Sequence, residues 1–254
     1  MSERDQSFAT MTGKFQRNIY ATTKGRLRLA VLKRDLASFH EASPLRILDI
    51  GGGLGQLSAW FIAAGHQVTH TDIAAEMVVE ARTLHQQQGL LAHRYEVAAL
   101  QDLPQRLPSE RYDLVLCHAV LEWMADPEQA LHVIKGLMAP NGQLSLMFYN
   151  RNAKYFANAI YGNFDYVQSN LKVKKTVRLS PQQPLDPNRV EQWIQDENGQ
   201  VTCKTGVRVI HDYLRNPKDA EQFEQLLEIE FRFNQEPPFR DLGRYLHWLI
   251  RFDE

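Results

Sequence analysis

The sequence predicts an α/β fold: a seven-stranded, mostly parallel sheet with helices on both faces, preceded by N-terminal helices and carrying an insertion after the fifth strand. Three observations carry this reading. Short apolar runs alternate with segments of helical periodicity between residues 45 and 149, a pattern that folds as parallel strands joined by crossover helices. The first apolar run ends in the cluster Gly51-Gly52-Gly53-Leu54-Gly55, placed where a strand would turn into a helix. The chain has 254 residues, 44% apolar and 23% charged, an ordinary globular balance with length enough for a large core.

The elements follow in order. Residues 1–40 are expected to form a basic helical cap, and residues 41–254 the main domain, with a basic insertion at about 151–188. Residues 45–50 read as the first strand and 57–64 as a helix stopped by Gly65. Residues 67–72 form the second strand, 75–88 a helix, 95–98 the third strand and 112–117 the fourth. A helix is expected at 127–138, then a Pro140-Asn141-Gly142 turn and a fifth strand at 143–149. Residues 200–212 and 244–252 read as the last two strands, with a helix near 219–233 between them. The polar, proline-bearing stretch 172–187 reads as the most mobile loop.

Charge is segregated along the chain. Residues 1–34 hold eight basic and two acidic side chains, and residues 35–150 sum to −7. Residues 151–180 then carry Arg151, Lys154, Lys172, Lys174, Lys175 and Arg178 against Asp165 alone. Two cationic segments flanking an acidic middle point to a polyanionic partner. Cys117 and Cys203 provide neither a disulfide framework nor metal-ligand spacing, so a reducing cytoplasm is expected and a structural zinc site is not. No apolar run approaches the ~20 residues that span a bilayer, and the start lacks the apolar stretch of a signal peptide, so no membrane partner is expected.

The chemistry begins at Asp49-Ile50-Gly51-Gly52-Gly53-Leu54-Gly55. A dinucleotide fingerprint anchored at Gly51 and Gly53 would need a small residue at position 56, where the chain has Gln56. The acidic residue ahead of the glycines instead resembles the S-adenosylmethionine site of class I methyltransferases, which have a Rossmann-like fold. That resemblance places Asp49 near the cationic methionine end of the cofactor. Asp72 ends the second strand, where a carboxylate can accept both ribose hydroxyls. Asp102 follows the third strand, where the resemblance places residues that touch adenine.

Longer segments carry a closer likeness. Residues 15–28 (FQRNIYATTKGRLR), 118–123 (HAVLEW), 146–150 (LMFYN), 162–167 (GNFDYV) and 204–209 (KTGVRV) together resemble the tRNA 5-carboxymethoxyuridine methyltransferases, the CmoM family, over nearly the whole chain. The resemblance implies methylation of the carboxylate of 5-carboxymethoxyuridine at the tRNA wobble position, giving a methyl ester, with the anticodon arm as partner. Carried over by motif, Arg28, Gly51, Gly52, Asp72, Leu100, Gln101 and His118 would contact S-adenosylmethionine, with Asp49, Gly53 and Asp102 beside them. The basic loop 171–178 (LKVKKTVR) has fewer lysines than the family pattern.

An ionised carboxylate needs no general base to attack a sulfonium methyl group, which accounts for the lack of a recognisable catalytic triad in the sequence. Tyr149, Asn150 and Arg208 are the candidates to orient the substrate carboxylate. Lys24, Arg26, Lys172, Lys174, Lys175 and Arg178 are the candidate RNA contacts. His118 is read as packing on or bonding to the adenosine rather than as a base. His118 and Glu122 are four residues apart and could share a helix face, but no further histidine has the spacing to make a metal site. Phe156, Tyr161, Phe164 and Tyr166 interleave with cations and could stack on an unpaired base. A methyltransferase for a small carboxylic acid and a cofactor-binding RNA module without turnover are the competing readings. Two cationic flanks disfavour the first, and an intact cofactor site with Tyr149 and Asn150 nearby disfavours the second.

Overall fold

Seven strands, β1 (Arg46–Ile50), β2 (Gln67–Asp72), β3 (Arg94–Val97), β4 (Tyr112–His118), β5 (Met138–Tyr149), β6 (Gly199–Val207) and β7 (Tyr245–Phe252), form one sheet. Their order is β3-β2-β1-β4-β5-β7-β6. The computed structural model describes residues 22–172 and 183–253. β1 to β5 pair in parallel, and β7 runs antiparallel between β5 and β6. The apolar runs of β1, β4 and β5 are buried on both faces, which is what a parallel sheet covered by helices requires. Strand order reverses between β1 and β4, and the crevice at such a reversal, beyond the carboxyl ends of the strands, is where open α/β sheets bind ligands.

Each face has its own core. On one face, Val115, Cys117, Leu146, Phe148 and Trp248 pack against Leu131 and Ile134 of a helix at Pro127–Gly136 and against Val190 and Ile194 of a helix at Pro187–Asp196. On the other, Leu114, Leu116, Met147 and Val207 pack against Val31 and Leu32 of α1 (Thr23–Asp35) and Phe61 of a helix at Gln56–Ala63. Thr22 caps α1 by accepting the Gly25 N–H. Complete burial of Val31 and Leu36 stabilises this packing by about 1.5–3 kcal/mol per side chain, an upper range. The described part of the N-terminal segment is thereby docked on the sheet.

Several boundaries differ from the sequence expectation. The helix expected to reach residue 138 ends at Gly136, and Met138 already pairs with Tyr112 in β5. The Pro140-Asn141-Gly142 segment is a bulge inside that strand, with Asn141 at φ +61°. β6 stops at Val207, five residues short, because Arg208 turns to φ +63° and leaves the extended region. The helix expected from 219 starts at Phe223, after a 3-10 turn at Pro217–Glu221.

The largest omission is the helix that follows the stretch read as a loop. Residues 173–182 lie outside the described part, but the chain beyond them is tied down. The Leu185 N–H donates to the Tyr149 carbonyl at 2.8 Å, and the Leu185 carbonyl accepts from the Arg151 N–H at 2.9 Å. Asp186 then caps the Pro187–Asp196 helix by accepting the Asn188 N–H at 3.1 Å. Buried Val190, Trp193 and Ile194 recur at helical spacing and were the available signal. After β5 the insertion also forms helices at Arg151–Ile160 and Phe164–Gln168. Among the described residues no helix is long and apolar enough to cross a membrane.

Candidate active site

A cavity opens where the strand order reverses. β1 and its following turn contribute Asp49, Gly51 and Gly52, the next helix Gln56 and Leu57, β4 and β5 His118 and Met147, and α1 Arg28, Leu29 and Leu32. Five residues singled out from the sequence, Arg28, Asp49, Gly51, Gly52 and His118, therefore meet at one wall. Gln56, Leu57, Met147 and the two α1 leucines are additions. Gln56 entered the sequence reading only as the residue that breaks a dinucleotide fingerprint, and the leucines could be placed only by the docking of α1.

The glycine turn is required by space as well as by backbone angle. Gly51 adopts φ +62°, and a Cβ on Gly52 would lie 2.5 Å from His70 Cε1 and 2.7 Å from Asp49 Oδ2. Asp49 is buried, accepts the Ser58 hydroxyl at 2.6 Å and lies 3.8 Å from His70 Nδ1. Burial opposes its ionisation, but His70 and the Ser58 hydroxyl outweigh that and hold its carboxyl below the usual range. A buried anion thus faces the cavity.

Asp72 reaches back to the same turn. Its Oδ2 accepts the Gly53 N–H at 3.0 Å and its Oδ1 the Ala74 N–H at 2.9 Å. Each oxygen keeps further acceptor capacity. Burial pushes the Asp72 carboxyl upward in spite of the two amides. Leu100, Gln101 and Asp102 form a 3-10 turn after β3, with Leu100 buried and the other two exposed.

His118 ends β4, and its Nε2 lies 2.8 Å from Ser145 Oγ. Burial pushes its imidazole down to about 3, so the ring is neutral. The helix face proposed for His118 and Glu122 does not form, because Leu121–Trp123 is a 3-10 turn that follows the strand. Glu122 is buried there without a well-formed hydrogen bond, and burial pushes its carboxyl up to about 8. Its folded-state pKa lies above the ordinary carboxylate value, so its contribution to stability is present in acid and is lost as pH rises toward 8. Glu122→Gln removes that titration. Urea unfolding at pH 5.5, 7 and 8.5 should show the wild type losing roughly 3 kcal/mol relative to the variant across the window, as an upper value. Parallel pH profiles would mean that Glu122 ionises at no cost.

Further out, Tyr149 lies two residues beyond Met147 on the same face of β5 and opposite Tyr245 of β7, with ring centroids 5.7 Å apart. The Arg244 guanidinium lies 4.7 Å from the Tyr149 ring centre and that of Arg208 5.4 Å from the Tyr245 ring centre. Both reach one carboxylate, Asp212, at 3.7 Å and 3.2 Å. Two guanidiniums on one carboxylate leave a cationic spot beside two tyrosines. Burial pushes the Tyr149 hydroxyl up to about 12, so it keeps its proton. Arg244 was not singled out from the sequence, since nothing local ties it to Tyr149.

Asn150 is a correction. It is fully buried; its amide donates to the Asp241 and Gly243 carbonyls at 2.8 and 2.9 Å, while its oxygen caps the next helix. It holds the chain before β7 rather than facing the cavity. Among the cationic candidates, Lys24 and Lys172 are exposed, and Arg26 stacks 3.6 Å over Phe223. Lys174, Lys175 and Arg178 lie outside the described residues. Phe156, Tyr161 and Phe164 are exposed and Tyr166 is half-buried beneath Lys154.

Strand order, glycine turn and paired carboxylates define a class I methyltransferase that uses S-adenosylmethionine. Residues 48–146 match the methyltransferase domain family. Magnesium protoporphyrin IX methyltransferase from Synechocystis PCC 6803 shares the fold with TM-score 0.67 and 14% identity, over 97% of this chain and 96% of that one. The plantazolicin methyltransferase BamL follows with TM-score 0.59 and 12% identity, over 96% and 90%. The tRNA 5-carboxymethoxyuridine methyltransferase of Escherichia coli K12 is 43% identical over 98% of this chain and 97% of its own length. A ubiquinone biosynthesis O-methyltransferase of Xanthomonas euvesicatoria is 33% identical over 58% of each chain. The chain belongs to the tRNA 5-carboxymethoxyuridine methyltransferase family.

Proposed function

We propose that this methyltransferase acts on the carboxylate of 5-carboxymethoxyuridine at the tRNA wobble position and forms the methyl ester. The observation that carries this is the 43% identity to the Escherichia coli enzyme of that name over 98% of the chain. Bound S-adenosylmethionine supplies an electrophilic methyl group on a sulfonium. The residues fit that group. Asp72 offers two acceptor oxygens for the ribose hydroxyls, Asp49 a buried anion for the cationic methionine end, and the turn at Gly51, Gly52 and Gly53 close backbone approach. Leu100, Gln101 and Asp102 would border the adenine, and Arg28 and His118 would complete the walls.

The attacking carboxylate has a pKa of about 4 and is ionised at neutral pH, so no proton has to be removed from it. A neutral His118 that holds no proton-transfer role fits that chemistry. The protein's work is to align two reactants about 3–3.5 Å apart and keep water out. Arg208 and Arg244 orient the carboxylate while Asp212 moderates their charge, and the Tyr149 hydroxyl is a further donor. Incubating the protein with S-adenosylmethionine and tRNA that carries 5-carboxymethoxyuridine, followed by mass spectrometry of wobble nucleosides, should show the methyl ester. Turnover on small free carboxylic acids with none on tRNA would favour the small-acid alternative.

Lys24, Arg26, Lys172, Lys174, Lys175 and Arg178 are assigned to the anticodon arm, with Phe156, Tyr161 and Phe164 offering faces to unpaired bases. Neutralising Lys172, Lys174 and Lys175 together should weaken tRNA binding and flatten its salt dependence by close to one counterion per lost phosphate contact. Cofactor affinity should hardly change. Titrations of tRNA at three salt concentrations provide the check, and an unaltered slope would shift RNA recognition to Lys24, Arg26 and the other amino-terminal cations.

A further inference from the structure

A line of buried side chains runs from α1 through the sheet to the cofactor cavity. Asp35, the last residue of α1, places Oδ2 2.8 Å from His247 Nδ1 on β7. His247 Nε2 is 2.8 Å from Ser145 Oγ on β5, and Ser145 Oγ is 2.8 Å from His118 Nε2 on β4. The Asp35, Ser145 and His247 side chains are completely buried. Strand register explains the meeting. Met147 pairs with both His118 and His247, and Ser145, two residues earlier on the same face, is diagonal to both.

Asp, His and Ser in this order are the constellation that activates a serine nucleophile. Ser145 has no such role here, since its hydroxyl is closed in between two imidazoles. The chain of bonds instead settles where protons sit. Asp35 Oδ1 accepts Arg34 Nε and one of its terminal nitrogens at 2.9 and 2.7 Å, so Arg34 already balances the carboxylate. Burial raises the Asp35 carboxyl, but the hydrogen bond from His247 and the Arg34 guanidinium outweigh it and keep the group ionised. A second buried cation at His247 would have no anion of its own. Neutral His247 therefore donates Nδ1–H to Asp35 and accepts the Ser145 hydroxyl at Nε2. Ser145 has then used its only proton and can only accept from His118, which must carry its proton on Nε2.

We propose that Asp35, His247 and Ser145 are positioning residues that hold His118 as its Nε2–H tautomer, so that Nδ1 is presented as a hydrogen-bond acceptor for a donor group, amine or hydroxyl, of the cofactor. This rests on the reading of His118 as a cofactor contact. Because Asp35 shares α1 with Arg28, Leu29 and Leu32, seating that helix completes the cavity wall and sets its polarity together.

Long-range proton–nitrogen correlation spectra of histidine-labelled protein read the tautomer directly. The wild type should show His118 protonated at Nε2. In Asp35→Asn, Arg34 keeps the carbonyl oxygen and turns the amide NH2 toward His247 Nδ1. His247 then donates from Nε2, Ser145 donates to His118 Nε2, and His118 moves to the Nδ1–H form. Affinity for S-adenosylhomocysteine, read by calorimetry, should fall about tenfold. Ser145→Ala removes one oxygen, should leave His118 in a mixture of tautomers, and keeps the test available if Asp35→Asn does not fold. An unchanged His118 tautomer in the variants that fold overturns the proposal, as does a changed tautomer with unchanged affinity where His118→Ala does weaken binding. If His118→Ala itself leaves affinity unaltered, the cofactor role of His118 fails, while the tautomer spectra still decide whether the relay exists.

Discussion

Asp72→Ala is expected to weaken S-adenosylmethionine binding tenfold or more while leaving the sheet intact. Two charge-assisted hydrogen bonds to the ribose would be lost, each worth about 1.5–3 kcal/mol when desolvated. The variant also frees the Gly53 and Ala74 amides that the carboxylate now holds, so the glycine turn loses its anchor at the same time. Asp72 is the last, only half-buried residue of β2, so circular dichroism and thermal unfolding of the variant separate this loss from unfolding. Burial raises the Asp72 carboxyl, so wild-type affinity should decline on acidification before that of a solvent-exposed carboxylate would. Asp72→Asn should lack that decline, because its amide does not titrate in the range. Calorimetry across pH 5 to 8 reads both effects, and an Asp72→Ala variant with wild-type affinity would remove Asp72 from the site.

Arg208→Ala is expected to lower kcat/KM for modified tRNA by about 100-fold, with cofactor affinity unchanged. A guanidinium that bonds a carboxylate contributes about 1.5–3 kcal/mol per charged hydrogen bond. Orientation of the attacking oxygen adds to the loss, because a small misplacement of a nucleophile slows in-line displacement steeply. Arg208 is held in a fixed place. It turns at φ +63°, leans on Tyr245 and shares Asp212 with Arg244. Arg208→Lys keeps the charge but not the planar fork, so it should recover binding more than turnover. Single-turnover methyl transfer against tRNA concentration separates the two, and unimpaired turnover in Arg208→Ala would move the carboxylate to other residues.

Local signals sufficed wherever the physics is local. The alternation of strand and helix from β1 to β5 repeats a period, and a period is read from neighbours. The glycine turn at 51–55 and the acids at strand ends, Asp49 and Asp72, sit at positions that strand–turn–helix chemistry dictates. The helix that begins where the expected loop 172–187 ends shows the limit of this reading. Proline and polar residues are loop signals, yet Asp186 and Pro187 are equally a helix start, and burial of Val190, Trp193 and Ile194 in the core makes the helix. Asn150 shows the same ambiguity, for a polar residue after a strand reads alike whether it meets a ligand or clamps the backbone.

By itself the sequence determined the sheet, the cofactor turn and the family likeness, because each depends on residues within one or two elements. Only the tertiary structure decided what needs distant segments to meet. α1 closes the cavity through Arg28, Leu29 and Leu32, Arg244 joins Arg208 over Asp212, and Asp35, His247, Ser145 and His118 line up across three strands. Asp35 and His247 are 212 positions apart and Ser145 and His247 are 102 apart. No local propensity encodes such separations. They follow from register, since β7 runs antiparallel beside β5 and that pairing alone sets His247 opposite Met147 and within reach of Ser145.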